Sequence, residues 1–377
     1  MKFSIQDHKE AGTIVLDSAL IDQLTRGNII DAPITLLRES PPVWILPTAM
    51  QQNGKIYLSH TLLKGYLGDL SDAEYAVINE FELFSVPDHL SNKNIGRHWI
   101  TNLYHHEDGI LAFLHSEYAG DDDYFGMPSI ICNGRRVFAP GRSAISLAWL
   151  PRDRLDNDLF NFIYLGCIAT YSASIPHFNV SGTPVFVNFD QGVCYINILF
   201  DDVHCTLGSD GWNIKNIFVS QARAPIADVI AGAKKGEITH WRKRNGEEWN
   251  DAIGGIARGI LPSVEHPDHR IACGELIVHS DVAYIERYGI FVLVAYVLVQ
   301  KDLNPSCLVI YSSTDGLNWK FESTFNERMD CKKGWSYVKM FDKGRRNGDR
   351  SLYCLVGWDY GKDGRCVYRL AMQISEY

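Results

Sequence analysis

The sequence predicts an all-β chain folded as a five-bladed β-propeller, with one short helical insertion after the third blade. The first observation behind this is a recurring phrase, a turn followed by a short strand. It occurs at Gly54–His60, Gly109–Glu117, Gly192–Asp201, Gly289–Tyr296 and Ser351–Asp359. The second is that an apolar segment precedes each copy: Val43–Leu46, Trp99–Tyr104, Val185–Phe189, Val282–Ile285 and Tyr337–Phe341. Five hairpins spread over 377 residues imply radial repetition of one small sheet, which leaves few exposed strand edges. The third is Ser312–Trp319, which reads Ser-Ser-Thr-Asp-Gly-Leu-Asn-Trp. It fits a hairpin turn whose backbone is capped by Asp315, with Trp319 packed beneath.

In chain order, residues 1–35 read as a lead-in, with a helical turn at Ile21–Leu24, and Ile34–Leu37 reads as the strand that closes the ring. Hairpins follow, unevenly spaced, with the longest intervals after the second and third copies. A helix is predicted over Pro225–Ala233, where Ile226, Val229 and Ile230 recur at helical spacing and Gly232 and Gly236 lie near the end. The apolar run Ile290–Val299 is too short to span a bilayer and reads as a fully buried strand. The whole chain, 1–377, is read as one domain.

Composition narrows the function. A net charge of −9 and a pI near 5.8 argue against a nucleic-acid backbone as ligand. No segment long enough to be a membrane span is present, and the N-terminus lacks the apolar core of a secretory signal, so a cytoplasmic location is expected. The nine cysteines are odd in number, form no CxxC pair, and fall partly inside apolar strands, so they read as reduced core residues. Aromatic residues make up 12% of the chain, which suits strands and sugar-binding surfaces alike.

Two carboxylates stand out as candidates for chemistry. Glu117 ends a strand whose preceding residues Ile110–Leu114 are all apolar, and it shares a strand face with His115. A carboxyl at the end of a buried strand is placed to act as a general acid. Asp281 follows His279 and Ser280 at the start of another apolar strand and is the candidate base. Asp201 and Asp359 end two further phrases and would join the same rim. Arg97, His98 and Trp99 begin a strand and offer a guanidinium, an imidazole and an indole for sugar binding. Arg223 lies between alanines just ahead of the helix, as an inward-folded arginine would.

No metal site is expected: His105–Asp108 reads as a hairpin tip, and His266–His269 is similar. Asp121–Asp123 offers oxygens for a structural calcium but lacks the spacing of a calcium loop. No other cofactor is expected. Nucleophile-elbow, phosphate-loop and dinucleotide fingerprints are absent.

The order of motifs resembles five-bladed propeller proteins of the glycoside-hydrolase kind, in the arabinanase, β-xylosidase and invertase clans. The matching pieces are His115–Glu117, Tyr195–Asp202, Ala222–Pro225, Trp241–Lys243 and Gly246–Trp249, within residues 97 to 320. The resemblance implies a carbohydrate substrate and cleavage by two carboxylates, with inversion the common outcome. The chain departs from that pattern in two places. Asn179–Val185 carries no carboxylate where relatives place one, and Ser40–Pro42 stands where arabinanase-like enzymes have an aspartate. Those departures keep two alternatives open: a carbohydrate-binding propeller without turnover, and a glycoside phosphorylase.

Overall fold

The structure is a computed structural model that describes residues 2–5, 13–16, 29–30, 32–52, 55–66, 69–87, 98–117, 130–132, 135–137, 143–169, 177–180, 184–208, 211–250, 260–261, 264–266, 269–271, 280–297, 307–325, 336–342, 351–357 and 367–375. The described residues are mostly β. Two strands, β1 (Lys2–Ile5) and β2 (Thr13–Leu16), precede the first sheet. That sheet holds β3 (Ile29–Ile30), β4 (Thr35–Glu39), β5 (Pro42–Gln52), β6 (Lys55–Tyr66) and β7 (Asp69–Asn79). After the short helix α1 (Glu80–Leu83), the second sheet comprises β8 (Phe84–Ser85), β9 (His98–His106) and β10 (Gly109–Glu117). A separate small hairpin follows, β11 (Ile130–Cys132) with β12 (Arg135–Val137). The second sheet then resumes with β13 (Ser143–Pro151), and helix α2 (Arg152–Asp156) leads to its last strand, β14 (Phe162–Ala169).

The third sheet holds β15 (His177–Val180), β16 (Val185–Asp190), β17 (Val193–Gly208) and β18 (Gly211–Pro225). Helix α3 (Ile226–Lys235) then leads to β19 (Arg242–Asn245) and β20 (Glu248–Asn250) of the same sheet. A second small hairpin joins β21 (Val264–His266) to β22 (His269–Ile271). The fourth sheet is β23 (Asp281–Ile285), β24 (Ile290–Val297), β25 (Cys307–Ser313) and β26 (Lys320–Phe325). Finally β27 (Ser336–Asp342), β28 (Ser351–Gly357) and β29 (Val367–Ser375) form a sheet with β1 and β2.

All five expected hairpins form as antiparallel pairs: β5 with β6, β9 with β10, β16 with β17, β23 with β24, and β27 with β28. The expectation of five blades is corrected to four blade-like sheets. Four sheets contain a blade-like meander of four strands in chain order, whereas the remaining sheet has only three and is completed by the N-terminal β1 and β2, both paired with β29. Ile34–Leu37 is not the closing strand, because β4 pairs with β5 at an edge of the first sheet. The helical expectation is corrected in place and number. Helix α3 lies inside the third sheet, between its strands β18 and β19, and α1 and α2 are further helical segments.

Local sequence explains these elements. Helix α3 starts directly after Pro225, whose φ is −58°. That ring-fixed angle suits a helix entry. The helix carries Asp228 in its first turn and Lys234 and Lys235 in its last, charges that complement its dipole. Gly236 ends it at φ 74°, where its N–H bonds to Ala233 O at 3.0 Å and that of Glu237 to Gly232 O at 2.9 Å. A glycine in the left-handed region is the common helix stop. Gly109 has φ 156° and admits no side chain, since an added Cβ would lie 2.3 Å from Leu150 O. In the Ser312–Trp319 turn, Asp315 Oδ1 accepts the N–H groups of Leu317 and Asn318 at 2.7 and 2.8 Å, and Trp319 is buried, as expected. Burial alone would push the Asp315 carboxyl up, but those bonds and the ones from Ser313 and the Asn318 side chain outweigh it and hold the group low.

The described residues fall into two compact units, residues 1–79 with 261–377, and residues 80–260. In the second unit Leu111, Phe113, Ile145, Leu147 and Trp149 pack with Ile196, Ile198, Phe200 and Ala222, and α3 adds Val229 and Ile230 to this core. Each large apolar side chain so buried contributes about 1.5–3 kcal/mol. In the first unit β24 is buried from Ile290 to Ala295, and β23 and β24 pack against β27. No helix among the described residues is long and apolar enough to cross a membrane.

Candidate functional site

In the second sheet the register sets Ser116 opposite His98 and His115 opposite Trp99. The start of β9 and the end of β10 therefore lie side by side. Glu117 closes β10 two residues beyond His115, with Ser143 as its partner on β13. The Trp99 and His115 rings are 5.3 Å apart and 34° from parallel. Trp99 is buried, and its indole N–H meets no acceptor among the described residues. A buried donor left in that state costs about 1–3 kcal/mol.

On the other side of the same strands lies a chain of neutral polar groups. His98 Nδ1 and Ser116 Oγ are 2.6 Å apart, and Ser116 donates its hydroxyl proton to Ser146 Oγ at 2.8 Å. Tyr164 OH donates to Ser146 Oγ at 3.1 Å, and Cys167 Sγ lies 3.4 Å from that oxygen. A serine hydroxyl has one proton. Because Ser116 gives it to Ser146, His98 donates its Nδ1–H to Ser116. Tyr164 and Phe84 pack the imidazole at ring distances of 4.8 and 5.7 Å.

In the third sheet Arg223 pairs across the ladder with Asn197, whereas Asp201 pairs with Val219 four residues further along. Four residues of strand span about 13 Å, so the register separates Arg223 from Asp201. The Arg223 guanidinium lies between the Tyr195 and Trp249 rings, 3.9 Å from each centroid, and donates to Asp190 Oδ2 at 2.7 Å. Arg223 is thus folded inward, as the sequence suggested, and its carboxylate is Asp190, at the β16–β17 turn.

The first unit holds Asp281, the first residue of β23. Its carboxylate is buried and takes protein donors on both oxygens. Val282 N–H bonds to Oδ1 at 3.0 Å, Met340 N–H bonds to Oδ2 at 2.9 Å, and Lys339 Nζ lies 3.3 Å from Oδ2. Burial pushes the Lys339 ammonium below the usual lysine range, and the attraction of Asp281 opposes that shift. The Ser280 hydroxyl beside it is buried and meets no hydrogen-bond partner among the described residues.

At the β9–β10 turn, His106, Glu107 and Asp108 bring one ligand atom each within 4.8 Å of one another. The Lys234 ammonium hydrogen-bonds Asp108 and holds that carboxyl below its usual range. Arg97, His279 and Asp359 lie outside the described residues, as does Asp121–Asp123; for Glu117 and Asp201 the strand position is described.

Sequence reasoning missed Ser116, Ser146, Tyr164, Asp190 and Lys339. Lys339 left a signal: it is the sole charge in Tyr337–Phe341, and a charge in a buried strand needs a partner.

No protein-family profile matches the chain, and no curated protein matches it. Among solved structures, it is similar to an exo-1,5-α-L-arabinanase from a bovine ruminal metagenomic library. The identity is 9% and the TM-score 0.45, covering 92% of this chain and 96% of the other. A levansucrase variant of B. megaterium gives 10% identity and a TM-score of 0.43, covering 90% of this chain and 79% of that one. A fructofuranosidase variant of Schwanniomyces occidentalis gives 11% and 0.40, with coverage of 91% and 56%.

Proposed function

We propose that the chain is a glycoside hydrolase acting on an oligo- or polysaccharide, with Glu117 as general acid and Asp281 as the base that activates water. Trp99 and His115 line the sugar site, whereas His98 lies on the opposite strand face and Arg223 is separated from Asp201 along the ladder, so His98 and Arg223 are left out of the binding set. The observation that carries this reading is the Trp99–His115 ring pair, which the register sets side by side at the end of β10, two residues before Glu117. An indole face suits the apolar face of a pyranose or furanose ring.

The test is hydrolysis of a panel of aryl-glycosides and polysaccharides by the wild type and Glu117→Gln. General-acid catalysis is worth about 10²–10⁴ in rate, so the variant is expected to lose that much while still binding. A variant as fast as the wild type would remove Glu117 from the chemistry.

One observation favours a second reading, carbohydrate binding without turnover. Asn179–Val185, whose first two residues lie in β15, carries no carboxylate where the resemblance places one. Thermal stabilisation by a sugar, with no hydrolysis on any substrate, would support it.

A further inference from the structure

We propose that Lys339 is a positioning residue for Asp281: it holds the carboxylate from the neighbouring strand β27 in the one orientation that serves the reaction. The assignment rests on the hydrolase reading above and adds a residue to it. Asp281 opens β23, and Lys339 and Met340 sit in β27, which packs against β23 and β24. Asp281 and Lys339 are 4% and 9% exposed as residues, so solvent screens the pair little. An aspartate has two torsions to settle. Oδ1 is fixed by its own strand through Val282 N–H at 3.0 Å. Oδ2 is fixed by β27, through Met340 N–H at 2.9 Å and the Lys339 ammonium at 3.3 Å. Roughly four acceptor positions exist on a carboxylate, and these protein donors take up most of them. The plane of the group is thereby set by two strands whose sequence positions are 59 apart.

The contact has a built-in charge requirement. Deprotonating Lys339 removes the cation at Oδ2 and leaves the Met340 amide to hold that oxygen. Asp281 is an acidic partner of Lys339; β24 and β28 carry no acidic or basic residue, and their titratable residues are Tyr296, Tyr353 and Cys354. Burial makes Lys339 shed its proton at lower pH than an ordinary lysine. The linkage then has a definite sign. Between the folded and the unfolded pKa the unfolded chain binds more protons, so this group makes the fold more stable as pH rises. Loss of activity on the alkaline side would thus come without loss of stability, which a purely structural ion pair does not produce.

The experiment compares the wild type, Lys339→Arg and Lys339→Met on the most rapidly hydrolysed substrate of the panel. Readouts are kcat and KM from pH 5 to pH 10, with thermal denaturation and exchange of the Met340 amide at the same pH values. The wild type is expected to lose kcat on the alkaline side below the ordinary lysine range, with its melting temperature maintained. Lys339→Arg keeps a cation at all these pH values and is expected to abolish that alkaline loss. Lys339→Met is expected to lower kcat about tenfold at neutral pH, to leave KM within about twofold, and to speed Met340 exchange. Lys339→Met with the wild-type kcat and pH profile would overturn the assignment, as would unchanged Met340 exchange in an active enzyme. Absence of hydrolysis by the wild type would overturn it together with the hydrolase reading. Faster Met340 exchange in Lys339→Met would then show that the contact exists and that the chemistry was misassigned.

Discussion

The second and fourth sheets each fix a strand start with buried polar groups, and they do it by different means. In the second sheet His98 is held by hydroxyls, through Ser116 and Ser146 on to Tyr164 and Cys167, with no formal charge needed. In the fourth, Asp281 is held by an ammonium and two backbone N–H groups, and Lys339 and Met340 come from another sheet. The neutral chain runs across neighbouring strands of one sheet, so the ladder that aligns the strands also aligns the hydroxyls. The charged contact ties two sheets together, where no ladder exists, and there a long, flexible lysine can span the gap. Within a sheet, register does the positioning; between sheets, charge does.

The sharpest way to break this contrast is to remove Asp281. Asp281→Ala leaves Lys339 buried without its carboxylate and is expected to cost about 3–5 kcal/mol in chemical denaturation. The double variant Asp281→Asn with Lys339→Met should recover much of that loss, because a buried pair replaced as a unit costs little. A double variant no more stable than Asp281→Ala would mean that neither the unpaired charge nor the Met340 contact accounts for the loss. His60 offers the next test. This fully buried imidazole of β6 has its pKa lowered by burial from 6.5 to about 3. It stays neutral in the fold, so the unfolded chain takes up the proton first as pH falls below 6.5. Stability should drop by about 3 kcal/mol between pH 7 and pH 4 on this account alone, and His60→Leu should flatten that slope. An unchanged slope would assign the acid sensitivity to other groups.

Ser116→Ala probes the neutral chain. It leaves the His98 Nδ1–H without its acceptor and should cost about 1–3 kcal/mol. Nitrogen chemical shifts of His98 should change, reporting a redistributed ring proton; unchanged shifts would mean that Ser116 does not set the tautomer. The smallest effect is expected at the exposed pair Arg152–Asp156, one helical turn apart at 3.0 Å. Arg152→Ala should cost no more than about 0.5 kcal/mol, which sets the baseline for a charge contact in water.

These regions also mark where the sequence was readable. Each hairpin was visible because an apolar run, a turn and a second apolar run are local signals. The Asp315 turn was visible for the same reason, since its donors Leu317 and Asn318 lie within three residues. Helix α3 was visible from its period, yet its place inside the third sheet was not, because β19 and β20 are too short and polar to read as strands of that sheet. Ile34–Leu37 was read as a closing strand because any short apolar strand fits that role; pairing with β5 depends on the turn at Ser40 and Pro41 that joins them. Of the candidate residues, Arg223 was rightly read as inward, but its partner Asp190 lies 33 residues away, across two turns. Ser116 and Ser146 are ordinary serines in sequence. Their roles follow from register, and a slip of one residue would send them to the opposite face.

The composite sheet sets a condition on how this chain can be made. Strand β1 leaves the ribosome ahead of the other described strands, and its partner β29 emerges after all of them. The strands of the first unit's sheets other than β1 and β2 can pair as they appear, but Lys2–Ile5 must wait for Met372–Ser375 and Thr13–Leu16 for Val367–Arg369. Closing so long a loop carries an entropy cost of about 5 kcal/mol by the logarithmic rule. Pairing is therefore worthwhile only once the rest of β29 is docked on β28. During synthesis the N-terminal strand is a waiting edge, and completion of this sheet is the last pairing event among the described strands.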